Sequence, residues 1–234
     1  MPQNRHPLRS SLSLSRRTVG NDRQPLLTID GVLADPGELV DAAAVAPFAA
    51  AFGPAGGYPG IRAPAPLDYV EAVARTLLPT LIEAFALPPA RLRRAECTFS
   101  LVTLTPDQLH PTQSAPHIDT VDPWQFAILH YLCGPEHGGT AFFRHRATGF
   151  ETLSADRLPA YDAARAREQD ATDYITASNA AFEAIDAVDA AFDRLVVYRS
   201  CLLHSGRIED AARLSDDPRR GRLTANIFLT LRPA

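Results

Sequence analysis

The sequence predicts a mainly β domain with flanking helices, built as an antiparallel sandwich or jelly roll. Three observations predict it. Two amphipathic helical segments come early in the chain, and the middle and end carry short β-branched or aromatic runs bounded by Pro or Gly. The strands also fail to alternate with helices in the regular way that a parallel βαβ sheet requires.

Taken in order, residues 1–23 carry Arg5, Arg9, Arg16, Arg17 and Arg23 against one acid, Asp22. Without an apolar h-region or small-residue cleavage site they read as a flexible tail rather than a targeting segment. Residues 24–234 are expected to form a single domain. Leu26–Asp30 reads as a strand ending in the Asp30-Gly31 turn. Asp35-Pro36-Gly37-Glu38 is a helix start, with an N-cap aspartate, proline at the first helical position and an acid in the first turn; this helix is expected to reach about Ala46. Residues 53–66 read as a Gly/Pro-rich loop. A second helix is expected over Leu67–Ala86, with Val70, Val73, Leu77, Leu81 and Phe85 on one face and a kink at Pro79.

The period then changes. Cys97–Thr105, Trp124–Leu132 and Thr140–His145 read as strands, an alanine- and acid-rich stretch at about 155–193 as a helical insert, and Leu195–Leu203 and Leu223–Leu231 as strands again.

Composition bounds the chemistry. All 23 basic residues are arginine, which excludes a Schiff-base lysine, pyridoxal-phosphate catalysis and a lysine-dependent phosphate loop. A net charge of −4, with 18 Asp and 9 Glu, gives no reason to expect nucleic acid as a partner. Cys97, Cys133 and Cys201 are widely spaced and odd in number, so reduced thiols and a cytoplasmic location are expected. No apolar run approaches the roughly 20 residues of a membrane helix, so no membrane partner is expected.

The chemistry concentrates in a few residues. In His117-Ile118-Asp119 an extended backbone points both side chains to one side, where they can share a metal. An isolated His-x-Asp is weak evidence, but His204 lies 85 residues after Asp119 at the end of an apolar run. Two histidines and one carboxylate form the facial set of non-haem Fe(II) oxygenases, which leaves positions open for a cosubstrate. Arg222, opening the last strand, has the donor geometry to grip a remote carboxylate, and Thr224 shares its strand face.

These motifs, with Tyr131-Leu132 and Gly138-Gly139-Thr140-Ala141-Phe142-Phe143 between them, resemble the prolyl-4-hydroxylase-like branch of the Fe(II)/2-oxoglutarate dioxygenases. The stretch Tyr58-Pro59-Gly60-Ile61-Arg62 looks like that of a bacterial subgroup of the same superfamily. The resemblance implies a double-stranded β-helix, cupin-like core, with Fe(II) held by His117, Asp119 and His204. It implies 2-oxoglutarate bound by Arg222 with Tyr131 and Thr224 assisting, and hydroxylation of a small-molecule or peptide substrate with formation of succinate and CO2. Because Asp119 occupies the carboxylate position, halogenation is not expected.

The sequence departs from the family in spacing. The distal basic residue of many members lies about ten residues after the second histidine, whereas Arg222 lies 18 after His204 and Arg213 lies 9 after it. The family anchor can be lysine or arginine, and lysine is absent here, which narrows the choice to these two. Arg222 leads an alternating strand (Arg222, Thr224, Asn226, Phe228), while Arg213 precedes the turn-like Ser215-Asp216-Asp217-Pro218; Arg222 is preferred, with residues 208–221 as a hairpin excursion.

Tyr58 and Arg62 are candidates for a lid, His130 for a packed or surface histidine, and His110, His137 and His145 for solvated positions. Arg144 and Arg146 are expected at the surface. The competing readings are a cupin-like metal or small-ligand binder without 2-oxoglutarate turnover, and a zinc hydrolase, which lacks a general-base motif. The sequence leaves the oligomeric state open.

Overall fold

The computed structural model describes residues 6–54, 56–169 and 171–234. Among the described residues eleven strands form two antiparallel sheets. The larger joins β1 (Ser13–Val19), β2 (Gln24–Asp30), β9 (Arg194–Arg199), β6 (Gln125–Tyr131), β11 (Leu223–Pro233), β5 (Ala90–Val102), β4 (Gly56–Pro64) and β3 (Ala49–Gly53), in that spatial order. The smaller joins β10 (His204–Arg207), β7 (Gly139–His145) and β8 (Phe182–Asp189). A bridge between His117 and His204 adds the His117 segment at the β10 edge. From β5 onward the chain alternates between sheets: large, small (His117), large, small twice, large, small, large. This is the winding of a double-stranded β-helix, as expected for the fold class.

Strand alternation explains how the layers assemble. Leu223, Ala225, Ile227, Leu229 and Leu231 of β11, Phe126 and Ile128 of β6, and Leu195 and Val197 of β9 face one way. Helix α2 (Leu67–Ala84) covers them with Tyr69, Val70, Val73, Leu77 and Leu81. The intervening residues Ala127, Tyr131, Val196 and Tyr198 face the smaller sheet and meet Phe142 and Val188. Helix α1 (Pro36–Ala44) begins as expected: Asp35 caps it by accepting a 2.9 Å hydrogen bond from the Gly37 N–H, with Pro36 in the first turn.

A buried polar relay crosses the helix–sheet core. The Tyr69 hydroxyl meets His130 Nδ1 at 2.7 Å, and His130 Nε2 lies 3.0 Å from Asp193 Oδ1. Asp193 also accepts from the Leu33 N–H. His130 is therefore a packed histidine, facing away from Tyr131. Tyr69→Phe leaves a buried imidazole nitrogen without a partner and is expected to lower stability by about 1–3 kcal/mol. A denaturant midpoint unchanged from wild type would contradict this.

Four expectations are corrected. Residues 13–19 are not a free tail: β1 pairs with β2 along its whole length, and Arg17 reaches Asp186 of β8 at 3.0 Å. The apolar alternation that marks a strand is missing because β1 is an exposed edge, where charged side chains discourage further pairing. The Gly/Pro-rich loop is the β3–β4 hairpin. Gly56 and Gly57 turn it with φ of 91° and 107°, and a Cβ at Gly60 would lie 1.9 Å from the Leu101 carbonyl oxygen, so glycine permits the close approach to β5.

The expected helical insert is helical only in α3 (Leu158–Arg165); Phe182–Asp189 instead pairs with β7. Alanine and acids mimic a helix there, while the alternation that makes the strand rests on few large side chains. The excursion at 208–221 is irregular, with one 3-10 turn (Ala211–Arg213), rather than a hairpin.

Among the described residues no helix is long and apolar enough to cross a membrane. The three cysteines are free.

Candidate metal centre and its anion pocket

His117 and His204 face each other through a reciprocal backbone pair, each N–H donating to the other's carbonyl at 2.9 Å. Their rings lie 4.5 Å apart between centroids. The Asp119 N–H donates to the Ser200 carbonyl at 2.8 Å, which holds the carboxylate beside both imidazoles. One ligand atom from each of His117, Asp119 and His204 falls within 4.8 Å of the others, and the described residues hold no other such cluster. His204 Nε2 lies 3.9 Å from Asp119 Oδ1.

Local chemistry suits a cation. His204 Nδ1 donates to the Leu202 carbonyl at 2.8 Å, so its Nε2 keeps a lone pair. Burial pushes the pKa of both imidazoles down to about 4, with His204 adding to the effect at His117, so both rings are neutral ligands near neutral pH. Burial raises the pKa of Asp119, opposed by His117, a Ser200 hydrogen bond and Arg62; a bound cation would remove that strain.

The cluster lines a cavity of about 360 Å³ between the sheets, and water reaches His117 through it. Arg222 lies in the wall, 5% exposed. Its Nε donates to the His137 carbonyl at 3.2 Å and one Nη to the Gly139 carbonyl at 2.7 Å, and the Tyr131 ring lies 5.6 Å from the guanidinium carbon. Burial works against its charge, but the surrounding Tyr131, Tyr58 and Cys133 outweigh burial and raise its pKa. No carboxylate pairs with Arg222 among the described residues. Arg213, the alternative, is a surface residue in an ion pair with Asp210 at 3.2 Å.

The other expected contacts fall differently. The Tyr131 hydroxyl is 2.5 Å from Thr140 Oγ1, and Thr140 rather than Tyr131 lines the cavity. Thr224, fully buried, turns its hydroxyl toward the Ser100 carbonyl at 3.5 Å and is also outside the lining. In their place stand Tyr58 and Asn226. The Tyr58 hydroxyl and Asn226 Oδ1 are buried without a hydrogen-bond partner. Burial raises the pKa of Tyr58, opposed by Arg222, Arg62 and Thr224, which places its hydroxyl among those groups.

Tyr58 and Arg62 belong to strand β4, so they form a wall of the site and not a lid. Asn226 was legible as a member of the Arg222 face. The position of Tyr58 was not, because β4 reads as a loop. Tyr198 also lines the cavity, its ring 4.8 Å from that of His204.

Other side chains have structural partners. Arg144 is paired with Glu151 and Glu183, and Arg146 donates to the Asn179 carbonyl. His145 is fully buried between Thr148 and Glu168 rather than solvated, because strand β7 turns it inward. Trp124 is half-buried and packs against the helix–sheet core.

Fold and cavity together define a double-stranded β-helix protein with a two-histidine, one-aspartate cluster and a buried arginine facing one chamber. The chain belongs to a family of unknown function, DUF6445, whose profile matches residues 10–229. No curated protein matches the sequence. Solved structures similar to it include HygX from Streptomyces hygroscopicus with nickel, 2-oxoglutarate and hygromycin B bound, at 14% identity over 91% of this chain and 84% of that one, with a TM-score of 0.48. Another is the non-heme alpha ketoglutarate dependent epimerase SnoN from nogalamycin biosynthesis, at 15% identity over 89% and 80%, with a TM-score of 0.47.

Proposed function

We propose that this protein is an Fe(II)- and 2-oxoglutarate-dependent oxygenase that hydroxylates a small-molecule or peptide substrate. One observation carries the reading: the His117, Asp119 and His204 ligand atoms converge in the same cavity as Arg222, a buried guanidinium with no carboxylate partner among the described residues. An unpaired buried charge is costly, and an anionic cosubstrate would compensate it.

The residues present fit both groups. Two neutral imidazoles and one carboxylate suit Fe(II) and leave further positions open. The guanidinium fork, with donors beyond those used on the His137 and Gly139 carbonyls, suits a remote carboxylate. When bound, Fe(II) would activate dioxygen and 2-oxoglutarate would supply two of the electrons, leaving as succinate and CO2.

The chain's own contribution is positioning. His204 is fixed in tautomer by the Leu202 carbonyl, and Asp119 is held through Ser200. The two carbonyls and the Tyr131 ring keep Arg222 in place, with the Tyr131–Thr140 hydrogen bond bracing that wall. The Tyr58 hydroxyl can donate to the cosubstrate's carboxylate, while Asn226 Oδ1, an acceptor, is left for a donor on the substrate. Tyr131 and Thr224 then support the carboxylate site from one residue further out.

Anaerobic addition of Fe(II) and 2-oxoglutarate to the metal-free protein is expected to give a weak visible charge-transfer band that disappears on admitting oxygen, with succinate formed. No band at stoichiometric iron loading would sink the oxygenase reading and leave a metal-binding protein without 2-oxoglutarate turnover.

A further inference from the structure

The cavity holds a second guanidinium that the oxygenase reading does not use. Arg62 projects from β4, where its residue pairs with Ser100 of β5. Its Nε is buried without a hydrogen-bond partner, and no carboxylate pairs with it among the described residues. The guanidinium carbon lies over the Tyr58 ring, 4.4 Å from its centroid, so the ring covers one side of the group and its N–H donors remain for a ligand. Gln113, which also lines the cavity, holds the hairpin through its Nε2, which donates to the Gly57 carbonyl at 3.2 Å.

Charge decides what the edge is for. A divalent ion, Asp119, a dianionic 2-oxoglutarate and Arg222 cancel among themselves. Arg62, half-buried, leaves one positive charge unmatched in the chamber, and its buried Nε has no partner there. Arg62 lines the same cavity as His117, Asp119 and His204, so a group bound at its edge shares the chamber with the metal cluster. The N–H fork of a guanidinium matches the planar two-oxygen fork of a carboxylate. A phosphate monoester would bring more charge than the chamber leaves open.

We propose that Arg62, oriented by Tyr58, binds a single carboxylate on the primary substrate, so that the substrates of this site are monocarboxylates. The inference rests on the oxygenase reading.

The test uses the protein loaded with Zn(II) and N-oxalylglycine, a 2-oxoglutarate isostere that does not turn over. Benzoate, N-acetylglycine and N-acetyl-L-phenylalanine, each against its primary amide, and methyl phosphate are titrated calorimetrically at low ionic strength. At least one acid is expected to bind about tenfold or more tightly than its amide. Arg62→Gln should abolish that preference while N-oxalylglycine still binds within about fivefold of the wild-type affinity, which also reports an intact fold. Tyr58→Phe, which keeps the stacked ring, should retain the preference.

Acids and amides binding alike, no acid binding at all, or methyl phosphate binding more tightly than every acid would overturn the proposal. So would an Arg62→Gln variant that loses N-oxalylglycine instead. Failure of the wild type to take up Zn(II) and N-oxalylglycine before any probe is added would instead count against the oxygenase reading.

Discussion

Asp119→Ala is expected to weaken divalent-metal binding by at least about 100-fold, above the 10–100-fold typical of losing a supporting partner, and to eliminate succinate formation. The aspartate is the only carboxylate in the cluster, and the described residues offer no second group of ligating side chains to replace it. Without it two neutral imidazoles face a dication with no compensating charge. The fold should survive, because the backbone hydrogen bond from residue 119 to the Ser200 carbonyl does not involve the side chain. Calorimetric titration with Zn(II) or Mn(II), alongside a thermal melt, checks both halves. Unchanged metal stoichiometry and affinity would show that the cluster is not the metal site.

Arg222→Met is expected to raise the dissociation constant for 2-oxoglutarate by about 30-fold to a few thousand-fold, the range of 2–5 kcal/mol for truncating one side of a buried charge pair. Metal affinity should change little, since Arg222 is not among the cluster's ligands. Part of the loss comes from wall geometry, because the His137 and Gly139 carbonyls lose their donors too. Arg222→Lys separates the contributions: it keeps the charge but cannot span both carbonyls and a carboxylate, and an intermediate loss is expected. Arg213→Ala serves as the control and should bind 2-oxoglutarate like wild type, since Arg213 is exposed and paired with Asp210. Loss of 2-oxoglutarate binding in Arg213→Ala with Arg222→Met unaffected would reverse the assignment.

Much of the fold was legible wherever both faces of an element are constrained. Helix α2 buries the residues its period marks, and β6, β9 and β11 show alternate faces because one side packs on that helix and the other on the second sheet. Elements with one free face were not legible. β1 is nearly all exposed, β3 and β4 form an edge hairpin built on glycine, and β8 carries alanine where a strand usually carries branched side chains. Local pattern is weak at such edges because pairing is supplied by the neighbouring strand and not by burial.

The site divides the same way. His117-Ile118-Asp119, His204 and Arg222 could be read from the sequence because their chemistry is specific and their order is that of a known family. Tyr131 was expected to contact the cosubstrate, but the packing of one sheet on the other sends its hydroxyl to Thr140 of β7, and Tyr58 of β4 fills the place in the wall. That substitution depends on a hairpin the Gly/Pro pattern disguised as a loop.

The sequence alone thus determined the ligand types, their order and the restriction to arginine for binding anions, since a chain without lysine has no other permanent cation to place beside a carboxylate. Only the tertiary structure decided which arginines lie buried and unpaired, and which hydroxyls face the chamber. Burial and pairing depend on strands far apart in the chain, β4 beside β5 and β11 opposite β7 and β10, and no local pattern encodes the charge balance of the space they enclose.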